Sequence, residues 1–578
     1  MSHKIQLKDA YKGYTLDQDK ICSPEETVRR FKERLRSVNL DILKETVRID
    51  TGRLDIPVYF SVCGRDAEAV TGTRKQMGKG GTPAQSEASA VMELAERFSF
   101  FSFWRDSGNF VVDEYRNLTD PAIGFEAIAR SVHDESGDLD AAREIFSRLP
   151  LKWIPAYNLT RDETLLIPFD WFFAINEYNG PSAGNCMEEA ISQGICELME
   201  RHVSSIVSRN RLKTPGINPD SATDPLVREM LQKYRHAGIR LFVSDFSLDT
   251  GIPTIGVLAY DPTTFPDKSE IVWTAGTTPD PEKALSRALT EVAQLGGDFS
   301  TGSNYMPSGL PKFKTLPETD FIRHPDAYVD MDALPDLSSD NIRREVENCV
   351  EALRRIHMEV FLVDVTHPRL QVPALYTIIP GAHFRERAVG TSVGMFSAKI
   401  VTEQGNPEWA IQKLKEMEQL LPDQYYIQFF LGLSHIHLDR YEEALPYLEA
   451  ALDLDPRAED VPTIYSYMGV CLKALERYAD ALAVLQKGVA WDRDRTDIHN
   501  LMGFCYFKQK EHEKAIEAFQ KVLHLNPGSA IDYANIASNY REMGNREMAV
   551  HYYRLALELD PHIDFARDHL KRLTGKGI

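Results

Sequence analysis

Two stretches of this 578-residue sequence concentrate carboxylates at helical spacing, and chemistry is expected there first. In SEASAVMELAERFSFF, residues Ser89, Glu93 and Glu96 fall within about 60° of one another at about 100° per residue, with Arg97 about 40° further round. In NCMEEAISQGICELMERHV, residues Asn185, Glu189, Gln193, Glu197 and Glu200 fall within about 120°. The segments also match each other: Ser89-x-x-x-Glu93-x-x-Glu96-Arg97 aligns with Gln193-x-x-x-Glu197-x-x-Glu200-Arg201. A third segment, PEKALSRALTEVAQ, repeats the spacing as Arg287-x-x-x-Glu291-x-x-Gln294, at offsets of 104 and then 94 residues. Three helices with one polar pattern suggest related units whose polar faces point at a common site.

One such helix alone would read as a solvated surface face. Here neither acidic helix has a lysine four residues after a glutamate, although Arg97 and Arg201 stand at that position. Apolar residues on the same helices (Val91, Leu94, Phe98; Ile191, Ile195, Leu198) would bury them. Carboxylates brought together repel and raise one another's pKa. A hard divalent cation relieves that, and Mg²⁺ prefers carboxylate, water and phosphate oxygens. The pattern therefore points to a Mg²⁺ site with a phosphate ligand. MGKGGTPAQSEAS supplies the anion side, with Lys79 among Gly78, Gly80 and Gly81 before the first acidic helix. The Walker spacing G-x-x-x-x-G-K-S/T is absent, so a P-loop NTPase is not expected.

The elements that must position these residues follow from the texture of the chain. Short β-branched or aromatic runs (PVYFSVCG, KWIPAYN, LLIPFDWFF, RLFVSDF, PTIGVLAYD, EVFLVDV, ALYTIIPG) alternate with helical patterns over residues 1–400, which predicts an α/β (α+β) domain. Near VTEQGNPE a polar, turn-rich linker is expected. From 405 to 578 paired amphipathic helices take over, with Pro422, Pro456, Pro527 and Pro561 in register at steps of 34, 71 and 34 residues, the long step dividing at Arg493. Small residues recur at fixed offsets, as in Gly432, Ala444, Leu448; Gly469, Ala481, Leu485; Gly503, Ala515, Phe519; and Ala537, Ala549, Tyr553. This resembles the tetratricopeptide (TPR) family, an all-α superhelix of about four repeats with a leading half repeat at 406–422 and a capping helix from Asp560 to Leu573. The resemblance implies a concave surface for a peptide or protein partner.

A net charge of −20 argues against a general nucleic-acid binder. Seven scattered cysteines without a Cys-x-x-Cys pair indicate neither a disulfide framework nor a structural zinc site. The polar N-terminus has no apolar signal region and no 18-residue apolar stretch occurs, so a cytoplasmic protein is expected. His435 and His437 fall in a TPR helix and read as packing or surface residues. Cys186 and Cys196 read as plain thiols rather than a redox pair. Trp104, Trp153, Trp171 and Trp273 read as core, and the basic run Arg29–Arg36 as a solvated helix face.

GKGGTPAQSEASAVMELAER, NGPSAGNCMEEAISQGICELMERHV and GTTPDPEKALSRALTEVAQ, with DKICSPEETVRRF upstream, together resemble the YcaO family over about residues 12–395. The TPR-bearing form resembles the bacterial YcaO proteins outside natural-product clusters. The resemblance implies a fold that binds Mg-ATP. Its azoline- and thioamide-forming members phosphorylate a backbone amide oxygen after a nucleophile has attacked the carbonyl. By motif, Glu93, Glu96, Glu197 and Glu200 are assigned to Mg²⁺. Ser89, Asn185, Glu189, Gln193 and Arg201 are assigned to nucleotide, Lys20 and Thr27 to an N-terminal nucleotide contact, and Arg287 to phosphate. Lys79 joins them on the physical argument above.

Azoline-forming members end in a proline-rich tail near the active site. This chain ends RLTGKGI, and its family core finishes near Pro380 in YTIIPGAHF. The nucleophile, the product and the catalytic residues stay open. No separate leader-peptide domain precedes the core, so recognition is expected through the TPR repeats or another protein. The function expected is a Mg-ATP-dependent enzyme that activates a peptide or protein amide, with a partner recruited through the TPR repeats and a homodimeric state. Two alternatives stand beside it: an accessory factor for ribosomal-protein methylthiolation, and a nucleotide-gated scaffold without turnover.

Overall fold

A computed structural model of the chain describes residues 4–13, 19–299, 312–384, 391–526 and 528–575. They form two compact units, Met1–Leu139 with Ser147–Val393, and Asp140–Phe146 with Gly394–Ile578.

The first unit is built on three sheets. A three-stranded antiparallel sheet joins Leu43–Arg48, Val58–Cys63 and Lys75–Lys79 in chain order. An antiparallel sheet of six strands runs Val111–Glu114, Pro150–Asn158, Phe361–Asp364, Ala374–Ile378, Pro181–Ala183, with Glu163–Pro168 also paired to Pro150–Asn158. The third runs Val272–Thr277, Thr254–Tyr260, Arg240–Asp245, Gly216–Ile217, Tyr328–Val329, and only its last pair is parallel. The segregation of antiparallel sheets and covering helices is that of an α+β unit.

Four helices matter for the site: α1 (Pro24–Val38), α2 (Pro83–Arg105), α3 (Met187–Asn210) and α4 (Pro281–Gly296). Their starts are written locally. Ser23, Thr82 and Asp280 cap α1, α2 and α4 through their side chains, each followed by proline at the first helical position, and Thr82 with Gln85 closes a capping box. Each helix bearing the repeated polar pattern lies on its own sheet. α2 packs on the three-stranded sheet, α3 on Ala374–Ile378 and Pro181–Ala183, and α4 on Val272–Thr277 and Thr254–Tyr260. Val91, Leu94, Ile191, Ile195 and Leu198 are fully buried and Phe98 nearly so, at about 1.5–3 kcal/mol for each large side chain.

Glycines permit the close approach. A Cβ on Gly78 would stand 2.1 Å from the Ala90 backbone nitrogen, and one on Gly194 would stand 2.2 Å from Thr377 Oγ1. Gly78 and Gly80 of the MGKGG stretch thus let the chain press on the start of α2, and Gly81 lies against Leu226.

The strand runs are found as strands, with one exception. LLIPFDWFF divides at Pro168 into the strand Glu163–Pro168 and a helix Phe169–Asn176. Phe169, Trp171, Phe172 and Ile175 are buried along an arc of about 160° of that short helix, and so short an apolar run is not separated from a buried strand by hydrophobicity alone. Trp153, Trp171 and Trp273 are fully buried, and Trp104 stacks on Phe173. Arg29 and Arg30 lie exposed on α1, paired with Glu26.

The second unit pairs helices Tyr425–Ile436 with Tyr441–Asp453, Val461–Ala474 with Tyr478–Trp491, Thr496–Lys508 with His512–Leu525, and Ala530–Glu542 with Arg546–Leu559. Pro407–Leu420 precedes them and Asp564–Thr574 follows. The small residues do the expected work: a Cβ on Gly432, Gly469 or Gly503 would press within 3 Å of Leu448, Leu485 or Phe519 respectively. His435 is buried against the Tyr447 ring. Pro422, Pro456 and Pro561 fall just past second-helix ends, whereas Pro527 lies outside the described residues. The stretch expected as a linker is mostly helical, because Val393–Gln404 is one helix and the break is confined to Gly405 and Asn406.

Candidate functional site

In the first unit α1, α2, α3 and α4 surround a cavity of about 290 Å³. Lys20 and Thr27 reach it from the N-terminal segment and α1, and Lys79 and Ser89 from the glycine loop and α2. Asn185, Glu189 and Gln193 line it from α3, and Arg287 from α4. Of the residues assigned to nucleotide, only Arg201 lies outside this lining. Glu93 and Glu96 line the cavity, while Glu197, Glu200 and Arg201 sit beyond its surface.

Hydrogen bonds tie these residues across elements far apart in sequence. Thr27 Oγ1 donates to Asn185 Oδ1 at 3.1 Å, and Arg287 Nη1 to Gln193 Oε1 at 2.6 Å. The Lys79 backbone N–H donates to Ser89 Oγ at 3.4 Å. Glu189 accepts from the Ile21 N–H and from both nitrogens of Asn185, at 2.8–3.0 Å. Its carboxylate therefore pins the N-terminal segment to the start of α3 and orients Asn185. The Lys79 ammonium is ion-paired with Glu291.

Burial and mutual repulsion set the charge states. The Glu96 carboxyl is pushed well above the usual range by burial, with Glu93 and Glu197 adding to the rise against Arg97. Burial also raises Glu197, against the pull of Arg201 and Arg97 and the Gly180 N–H that donates to it at 3.0 Å. Glu200 is raised to about 7 by burial and by Glu291, with Arg201, Arg287 and Lys79 opposing. The acids thus form two neighbouring groups, Glu93–Glu96–Glu197 and Glu200–Glu291, with arginines and a lysine as counter-charges. Arg97 bonds Glu93 at 3.1 Å and stands 3.5 Å from Glu96.

This donor set suits a hard divalent cation, since it offers only carboxylate oxygens whose repulsion a cation would relieve. No three acids among the described residues converge in ligand geometry. Arg287 adds a mark of an anion site, because its Nε is buried with no hydrogen-bond partner among the described residues. Cys196 lines the cavity, but burial pushes its thiol up to about 12, so it is a neutral wall residue at physiological pH.

Sequence reasoning quoted Glu291 within the repeated pattern but left it off the list of site residues. The signal was present, since Glu93, Glu197 and Glu291 occupy one position of the three matched segments. It also missed the buried pair Lys12–Glu345 (2.6 Å), whose two halves lie 333 residues apart and line the same cavity. No local pattern announces such a pair.

Three helices on three sheets, turning the matched Ser89, Gln193 and Arg287 toward one cavity, are the mark of a dedicated family. The family described as "YcaO cyclodehydratase, ATP-ad Mg2+-binding" matches residues 77–383, and the chain belongs to it. Tetratricopeptide repeat families match 402–459, 435–503, 496–529 and 533–563. An uncharacterized protein of Methanothermobacter thermautotrophicus is 29% identical over 381 residues, 62% of this chain and 93% of that protein. The ribosomal protein S12 methylthiotransferase accessory factor YcaO of Escherichia coli is 28% identical over 294 residues. That match spans 47% of this chain and only 48% of the E. coli protein. A heterocyclase solved in complex with substrate and cofactor superposes with a TM-score of 0.54 at 24% identity, over 66% of this chain and 55% of that one, and shares the fold. No helix among the described residues is long and apolar enough to cross a membrane.

Proposed function

We propose that the chain is a Mg²⁺- and ATP-dependent enzyme that activates a backbone amide of a peptide or protein by phosphorylating its oxygen, with the substrate or a partner recruited by the TPR unit. The observation that carries this reading is the convergence of the matched polar faces of α2, α3 and α4 on the cavity, within a member of the YcaO family. Glu93, Glu96, Glu197, Glu200 and Glu291 would hold the cation. Arg287 and Lys79 would balance phosphate charge at the mouth, and Arg201 would do so behind the carboxylates. Ser89, Asn185 and Gln193 would orient the nucleotide, with Thr27 and Glu189 holding Asn185 in place. ATP bound with its metal supplies a transferable phosphoryl group, which turns an amide oxygen into a leaving group once a nucleophile has added.

Calorimetric titration of ATP, with and without Mg²⁺, tests the assignment on the wild type and on Glu93→Gln and Glu197→Gln. Mg²⁺-dependent binding lost in both variants is expected. Binding unchanged in both, or absent from the folded wild type, would refute it.

A second reading has its own support in the name of the E. coli relative: an accessory factor for methylthiolation of a ribosomal protein. Methylthiolation that depends on this chain in a reconstituted reaction, and survives Glu93→Gln, would favour that role over the enzyme.

A further inference from the structure

The helix Phe169–Asn176 ends in a backbone conformation that its residue type does not favour. Glu177, its C-cap, has φ 46° and ψ −111°. Asn39 and Arg211 also end helices at positive φ, but at ψ 56° and 45°, in the ordinary left-handed region. The Asn179 N–H donates to the Asn176 carbonyl at 2.9 Å and closes a four-residue turn in which Glu177 is second. Its angles are close to the roughly +60° and −120° of that position in a type II′ turn, which glycine favours because it has no Cβ to crowd the backbone. A side chain held there is strained, and such strain persists only where the surroundings fix it.

The surroundings fix both ends of the turn. Upstream, Asn176 is buried, and its carbonyl also accepts from Asn179 Nδ2 at 2.9 Å. Downstream, the Thr377 N–H donates to the Gly180 carbonyl at 2.9 Å, and a Cβ on Gly180 would stand 2.4 Å from the Thr377 carbonyl oxygen. Between these anchors the turn meets both acidic helices. The Tyr178 carbonyl accepts from Arg97 Nη1 of α2 at 3.1 Å, and the Arg97 guanidinium lies 6.0 Å from the Tyr178 ring centroid. The Gly180 N–H donates to Glu197 Oε2 of α3 at 3.0 Å, which leaves Oε1 for a cation. Arg97 in turn bonds Glu93 and stands 3.5 Å from Glu96. One strained turn therefore holds the counter-charge of the first acidic helix and a carboxylate of the second.

We propose that the turn Asn176–Gly180, strained at Glu177, is a positioning element of the cation site that keeps Arg97 and Glu197 in register for Mg²⁺. With Glu93 and Glu96 committed to a cation, Arg97 keeps the Tyr178 carbonyl as its anchor, because that bond does not involve the acids. Hydrogen bonds behind a metal ligand fix its orientation, so a slack turn costs affinity for the metal. This rests on the Mg²⁺-ATP reading and adds how the charges of that site are held.

Glu177→Gly tests it in the full chain, with Glu177→Ala as control. Both lose the side chain, and only glycine loses the Cβ that strains the backbone. Calorimetric titration of ATP over a series of Mg²⁺ concentrations, and without Mg²⁺, is read beside the melting temperature. Glu177→Gly is expected to melt about 1–2 °C above Glu177→Ala as strain is released. It is nevertheless expected to need about fivefold more Mg²⁺ than Glu177→Ala for half-maximal ATP binding, since the bonds to Arg97 and Glu197 are loosened and not deleted. Binding without Mg²⁺ is expected to be equal in the two variants. A turn with a structural role alone would give the first effect without the second. A Mg²⁺ midpoint in Glu177→Gly within about twofold of Glu177→Ala, an equal loss of ATP binding with and without Mg²⁺, or a Glu177→Gly that melts below Glu177→Ala would overturn the proposal. A wild type without Mg²⁺-dependent ATP binding would refute the functional reading and this inference together, whereas a Mg²⁺-dependent wild type with an unshifted Glu177→Gly refutes this inference alone.

Discussion

Lys79→Met tests the electrostatic logic of the site most directly. The Lys79 ammonium faces Glu291, a carboxylate 7% exposed, and also opposes the rise of Glu200. Removing one partner of a fully buried pair costs about 3–5 kcal/mol, because a charge is left uncompensated. Lys79 is itself 21% exposed, so water reaches the pair and the cost falls to about 2 kcal/mol. For a unit of this size that is a fall of about 2–3 °C in melting temperature. Methionine keeps the apolar stem, so packing changes little. Double replacement with Glu291→Gln removes both charges and should recover most of the loss, a coupling of about 1–2 kcal/mol.

The sign reverses with metal. Lys79 competes with a cation for Glu291 and Glu200, so 10 mM Mg²⁺ should raise the melting temperature of Lys79→Met by more than it raises that of wild type. Differential scanning calorimetry, following the first unit, measures both effects. A variant as stable as wild type, or one that Mg²⁺ stabilises no more than wild type, would refute the placement of Lys79 as counter-charge to the cation site.

Two further outcomes are expected. Gly78→Ala must move either the glycine loop or α2, since its Cβ would meet backbone, not a flexible side chain, and a loss of about 3 kcal/mol or more is expected in urea unfolding. His383 is held neutral down to about 3, by burial first and then by His133, His202 and Arg209, whereas an unfolded histidine protonates near 6.5. Between those values the unfolded chain binds the extra proton, so stability rises with pH and is lost as pH falls from about 6.5 toward 3. His383→Asn should reduce the slope of the urea midpoint between pH 6.5 and 5, the remainder coming from His202 and His133, which burial also lowers, and an unchanged slope would remove His383 as a source.

The sequence by itself determined the elements and their polar faces. Serine, threonine and aspartate caps followed by proline set helix starts within a few residues, and apolar residues at helical spacing chose the buried side of α2 and α3. The repeat period located the TPR helices, because each small residue must face a large one in its own unit. Matched spacing in α2, α3 and α4 named the carboxylates, since side chains three and four apart share a face whatever lies opposite.

Tertiary structure decided how charge is distributed among them. Lys79, assigned to nucleotide from its own loop, is also ion-paired with Glu291, 212 residues away. Glu189, assigned to nucleotide, lines the cavity and also accepts from Ile21 and Asn185, 168 and 4 residues away. The pair Lys12–Glu345 and the contacts of Tyr178 and Gly180 with Arg97 and Glu197 had no local signature. The cause is physical. Helical periodicity and capping act within a few residues, whereas an ion pair or a desolvated carboxylate depends on which distant side chain packing brings within a few ångströms.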